Sequence, residues 1–376
     1  MTIKALAYSA QQHIQASTGG SFKRAHIYEL LAASFGFNSY AALGADAVFT
    51  EQSLSSRRAS SYGSLVRNRC IEIGYQPDVA NAVSIALPAY LSERQIGVIR
   101  IADLVAHLRY EAGHQDDYSD DDEEPEDRDD TLDDQWVDSV ALESPILLDG
   151  LEDAACKGNA LAHYALALIH APEEGEERKV GSDYWHSQAQ QGRLLTGVEK
   201  EWADDYVTNL ARSEKNAHHL REAARLGQQD ALLELADRFE DPAFFEQASP
   251  HSNANPTVVA EIAQRLGRHG DAKKWLTIAA EAGDTEAMRQ LIEEYDQRDL
   301  VRCWTWVYLA KLMDVDLTMD EHYAIDEDGS PYDDDVGGTV YVGGRDGVVI
   351  DPLSAEQDAT ARDAAQKLLG RIRLAG

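Results

Sequence analysis

At 376 residues the chain is long enough for two or three compact units, and its 34 Lys/Arg against 67 Asp/Glu give a formal charge of −33 at pH 7. A body this acidic repels nucleic acids and membrane faces, which are themselves anionic. The opening MTIKALAYSAQQHIQAS has no apolar stretch of the signal-peptide kind, and no run approaches the roughly 20 apolar residues of a membrane span.

The charge is unevenly spread. Residues 1–110 hold ten Lys/Arg and seven Asp/Glu, a net +3, so the rest carries −36. Within this basic-leaning part, residues 2–16 form a candidate helix. Ser21–Leu43 reads as a helix, a turn at Gly36 and a short third helix. Ile27, Leu30, Leu31 and Phe35 share one helical face, and Asn38 or Ser39 suits the N-cap of the third helix. Arg57–Tyr75, Val79–Leu91 and Glu93–Tyr110 read as three more helices, separated at Gln76-Pro77-Asp78, with Pro88 expected to end or kink the middle one. The expectation for residues 1–112 is a bundle of short helices. The Ala32–Gly36 spacing also occurs in helix-turn-helix motifs, and Lys23, Arg24, Arg57 and Arg58 lie nearby. Asn38–Leu43 nevertheless offers almost no base-reading side chains, so a packing or protein-binding module is the better reading.

Residues 113–136 change character abruptly. Between Asp116 and Asp134 there are thirteen acidic residues and one arginine, Arg128. Like charges at this density repel, and little apolar surface offsets chain entropy, so an extended acidic linker is expected.

After it the chain repeats itself. Small residues, a glycine and further helix recur around Gly158, Gly192, Gly227 and Gly283, at spacings of 34, 35 and 56. Ala223-Ala224 precede Gly227, and Ala279-Ala280 lie just before Gly283. Small residues let neighbouring helices approach, and glycine closes a helix in a left-handed conformation. One such pair cannot bury its apolar face alone, so pairs must stack. AARLGQQDALLELADRF (223–239) and WLTIAAEAGDTEAMRQLIEEY (275–295) resemble Sel1-like repeats, relatives of the tetratricopeptide repeats. The resemblance covers about 150–315 and implies an α/α solenoid whose concave face binds proteins, with no catalytic residues to carry over. The inter-helix loops mostly depart from that family's glycine-rich pattern.

Residues 318–376 leave the solenoid frame. Tyr323–Val336 is an acidic, turn-rich stretch. Thr339–Val342, Gly343–Gly347 and Val348–Ile350 read as strand, turn and strand. Ser354 and Gln357 form a capping box opening a last helix, with Ala361, Ala364, Leu368 and Ile372 along one stripe, a cap over the final repeat. The fold class expected is therefore all-α: a solenoid over 137–317, an N-terminal helical bundle and a small C-terminal β-hairpin.

Chemistry-bearing motifs are scarce. HExxH, Walker A, GxSxG and GxGxxG patterns are absent. His163 and His170 lie seven apart without a third ligand at a fitting spacing, and adjacent His218 and His219 point in different directions, so no metal or cofactor site is expected. Asp326–Asp335 lacks the ligand alternation of a calcium loop. Cys70, Cys156 and Cys303 are far apart, odd in number and placed in predicted helices, which suits buried hydrophobes in a reducing cytoplasm. Trp185, Trp202, Trp275, Trp304 and Trp306 fall where adjacent repeats should meet and are mostly core; exposed ones among Trp185, Trp202, Trp304 and Trp306 would be anchors for a partner, with Glu293 and Glu294 candidate charged contacts. The reading is a non-enzymatic cytoplasmic adaptor for a protein partner, with a second possibility, an immunity or neutralising protein against a basic toxin such as a nuclease effector.

Overall fold

Thr2 opens the first helix by accepting the Ala5 N–H on its hydroxyl. From there the computed structural model describes residues 1–51, 57–58, 62–114, 142–172, 181–247, 254–326, 330, 332 and 339–375. Helix dominates the described residues, with one three-stranded and one two-stranded sheet. The chain divides into two compact units, Met1–Leu235 and Ala236–Gly376.

In the first unit, α1 (Ile3–Thr18) buries the stripe Ile3, Leu6, Ala7, Ala10 and Ile14. Helix α2 (Arg24–Ala33) buries Ile27, Leu30 and Leu31, and Ser39 caps α3 (Tyr40–Asp46) by accepting the Ala42 N–H. The next elements correct the expected helical bundle. Strands β1 (Ala47–Glu51), β2 (Arg57–Arg58) and β3 (Ile96–Arg100) form an antiparallel sheet in the order β1-β3-β2, with Phe49 opposite Val98. Ile96–Arg100 had been assigned to a helix; Gln95, at φ 55°, breaks the chain after α5 and the β-branched run becomes a strand. Between the strands lie α4 (Gly63–Glu72) and α5 (Pro77–Glu93). Helix α5 runs through Pro88, which is buried with Leu87 and Leu91, so packing overrides the local proline penalty.

Helix α6 (Ile101–His114) leads to the acidic run, which lies outside the described residues, and α7 (Pro145–Cys156) follows it. Helices on the two sides share a core. Val48, Ile99, Ile101, Leu104 and Leu108 pack in one cluster with Leu147, Leu151, Leu166, Leu220 and Leu235. The Ile3 N–H donates to Asp149, and the Asn159 amide to the Ala45 carbonyl, both at 2.9 Å. The division thus falls near residue 235 rather than at 113–136, because the apolar faces of β1, β3 and α6 are completed by α7 and α8 (Ala160–Ile169). Three further helices follow: α9 (Ser182–Gln190), α10 (Val198–Arg225) and α11 (Gln229–Phe239).

The four framework glycines lie just past helix ends. Gly158, Gly192, Gly227 and Gly283 have φ of 87°, 89°, 93° and 107°. The Gly227 N–H donates to Ala224 and the Gln228 N–H to Ala223; the Gly283 N–H donates to Ala280 and the Asp284 N–H to Ala279. These paired bonds satisfy carbonyls that a helix end leaves open.

In the second unit, α12 (Pro256–Arg265) and α13 (His269–Ala282) pack as a pair over Phe244 and Trp275. Helix α14 (Thr285–Gln290) passes into a π-helical turn, Leu291–Tyr295, and α15 (Leu300–Lys311) is covered by α16 (Ala355–Ala375). The expected capping box is present: the Gln357 side chain accepts the Ser354 N–H at 3.1 Å, and Ser354 Oγ accepts the Gln357 N–H at 3.4 Å. The buried stripe of α16 is Ala361, Ala365 and Leu368, with Ala365 in place of Ala364. The hairpin is real but differently paired. Strand β4 (Glu321–Ile325) pairs with β5 (Tyr341–Arg345), placing Gly343 and Gly344 inside a strand. Gly343 lies under the Tyr323 and Ile325 side chains, and Val348 turns away to donate its N–H to Leu317. Most of the Asp326–Asp335 stretch falls outside the described residues.

Candidate functional site

The tryptophans expected to anchor a partner separate into two environments. Trp306 is only 2% exposed. Its indole N–H donates to Asp296 Oδ2 at 3.1 Å; the same buried carboxylate takes Arg302 Nε at 2.9 Å and Lys273 Nζ at 2.7 Å. A buried carboxylate is tolerable when opposite charges and a donor surround it in this way. Trp306 is therefore a structural residue, which corrects its assignment as an anchor. Trp304 is half-buried, and its N–H donates to the Asp351 carbonyl at 2.9 Å, tying α15 to the segment before α16. Glu293 and Glu294 are exposed on the π-helical turn; Glu293 lies 3.4 Å from Arg289, and Glu294 receives the amide of Gln290.

Trp185 and Trp202 lie on α9 and α10, half-buried. The Arg193 guanidinium sits 4.9 Å above the Trp185 ring and pairs with Glu199. Helix α10 changes character along its length. Its C-terminal half packs on α8 through Asn216, Ala217, Leu220 and Ala223, whereas between Val198 and Lys215 only Ala203 is buried. Tyr184, Leu194, Val198, Val207 and Leu210 are all exposed there, Leu194 at 90%. Asp183, Glu201 and Asp204 stand among them. Leu194 lies on the loop between α9 and α10; Val207 and Leu210 share a side of α10, while Val198, nine residues before Val207, lies on the opposite side.

Histidines meet on the other half of α10. His219 reaches His163 of α8, with Nδ1 to Nδ1 at 3.0 Å, and stacks on His170 with ring centroids 6.3 Å apart. Burial pushes the His219 imidazole down to about 4, helped by repulsion from His163, His218, His170 and Lys215; His163 and His170 are also lowered, chiefly by burial. Spacing within one helix hid this group, because its third member arrives from a helix 56 residues away in sequence.

Asp320, His322 and Asp346 form an exposed cluster whose ligand atoms lie within 4.8 Å of one another, at the end of the β4–β5 hairpin. Cys70 and Cys303 are buried with thiols pushed up to about 11 by burial, while Cys156 is exposed rather than buried as expected. Among the described residues no helix is long and apolar enough to cross a membrane. Set against protein-family models, curated proteins and solved structures, the chain matches none.

Proposed function

We propose that this protein is a non-catalytic helical-repeat adaptor of the Sel1-like kind, working in the cytoplasm, and that its contact face is the surface formed by α9 and the N-terminal half of α10. The observation that carries the reading is the exposure of Tyr184, Leu194, Val198, Val207 and Leu210 along α9, the loop after it and the N-terminal half of α10, a segment that buries little else. The helix–glycine–helix units at Gly158, Gly227 and Gly283 support the repeat assignment, since such units stack to present extended faces. The partner is a basic protein: outside residues 1–110 the chain carries −36, which would steer a cation-rich surface toward it and suppress acidic competitors.

The same charge favours a second reading in which the bound protein is a basic toxin, such as a nuclease effector, that this chain neutralises. One experiment addresses both. The chain and its Leu194→Glu/Val207→Glu variant are used as baits in the native cell, and the captured protein is purified. The proposal expects a basic protein retained by the parent chain and lost by the variant. Equal capture by both baits sinks this face as the contact. Inhibition of a nuclease activity in the captured protein selects the neutralising role, and its absence selects the adaptor.

A further inference from the structure

His163 and His219 are held as a metal-binding pair would be. His163 is only 9% exposed, and its Nδ1 lies 3.0 Å from Nδ1 of His219. One proton between the two nitrogens makes one ring the donor and leaves the other with a bare Nδ1. Two ring nitrogens this close, on helices α8 and α10, could act together as ligands to one ion. With metal–nitrogen bonds of about 2.0–2.1 Å, two donors 3.0 Å apart subtend roughly 90° at the ion. That angle suits the tetragonal preference of Cu2+ or Ni2+ better than the tetrahedral one of Zn2+.

We propose that His163 and His219 form a binding site for a late first-row divalent metal ion of tetragonal preference, which links α8 to α10. The ion takes both Nδ1 lone pairs; the proton between the two nitrogens moves to Nε2 of the ring that carries it, so both rings stay neutral and no net proton is released. Water fills the remaining positions, entering past exposed His218 and half-buried His219. Of the charged groups facing the pair, the Glu222 carboxylate acts on His163 and favours a cation; Arg225, bound to Glu222, and Lys215 oppose it. Arg212, Lys215 and Glu143 act on His170 beside it.

The test is titration of the metal-stripped full-length chain with NiCl2 and CuCl2 by calorimetry at pH 7.5. One saturable site is expected, weakened about tenfold or more by His163→Gln and by His219→Gln, and unchanged by His322→Gln, which removes the exposed Asp320–His322–Asp346 cluster as a source. The Cu2+ electron paramagnetic resonance spectrum of the parent chain should show two equivalent nitrogen couplings, a readout that needs no variant to fold. Absence of a saturable site, equal affinity in His219→Gln, loss in His322→Gln, or couplings from fewer than two nitrogens would each overturn the assignment.

Discussion

Trp306 and Trp202 are both aromatic residues within helices of the repeat region, yet only one belongs to a core. Trp306 sits on α15, a helix covered by α16 and by the turn that carries Asp296, so every side of the indole finds a partner. Trp202 sits on the half of α10 that packs on α9 and buries only Ala203 between Val198 and Lys215. The identity of the residue is the same in both places; its packing neighbours decide whether it is buried or left half-exposed. In a stack of helices each member needs a neighbour on both sides, and a helix lacking one presents its apolar face outward.

Truncation of each indole should separate the two sites. Trp306→Ala leaves a cavity and strips the Asp296 carboxylate of a donor, so it should cost about 3–5 kcal/mol. Trp202→Ala, half-exposed, should cost about 1 kcal/mol or less. Chemical denaturation of both variants reads the difference, and similar losses would show that the α9–α10 pair is as much a core as α15. A smaller effect is expected at the helix ends. Gly283→Ala must adopt φ 107° with its Cβ 2.9 Å from Met313, whereas Gly192→Ala meets only the φ penalty of its 89° backbone. Thermal melts should place the first above the second, near about 2 and about 1 kcal/mol.

The same long helix yields a pH prediction for its buried half. His163, His170 and His219 all have folded-state affinities for protons below the ordinary imidazole value, so the unfolded chain binds protons more readily. Their contribution is intact above about pH 6.5 and is lost as pH falls toward about 4. Denaturation midpoints followed from pH 7.5 to 4.5 should decline, and His219→Gln should flatten the decline; an unchanged slope would contradict the assignment of the three rings. The smallest stability effect belongs to the proposed contact face. Leu194→Glu should shift stability by no more than about 0.5 kcal/mol, because the side chain touches little of its own protein.

Much of the local frame was legible because it is written in short-range chemistry. The glycine after a pair of small residues, the Ser354/Gln357 capping box and the Ile27/Leu30/Leu31 stripe each depend on residues a few positions apart. Pairings across long separations were not legible. The sheet joining Ala47–Glu51 to Ile96–Arg100 needs two strands that are separately ambiguous with helix. The hairpin partner of Tyr341–Arg345 lies across the acidic stretch at Glu321–Ile325, while the Gly343–Gly347 run looked like the turn itself. The shared core of α6 and α7 was hidden by the charge run between them, and the His163–His219 pair by the distance between α8 and α10. At the candidate contact face, tryptophan positions were readable from sequence, but which were exposed followed only from the packing.

Site-specific photo-cross-linking in the native cell asks whether the α9–α10 face holds a basic partner. A photoreactive residue at Leu194 or Val207 should yield one adduct with a basic protein, identified by mass spectrometry, while the same probe at Ile85, an exposed residue outside this face, yields none. The same adducts at all three positions, or none at Leu194 and Val207, would contradict it.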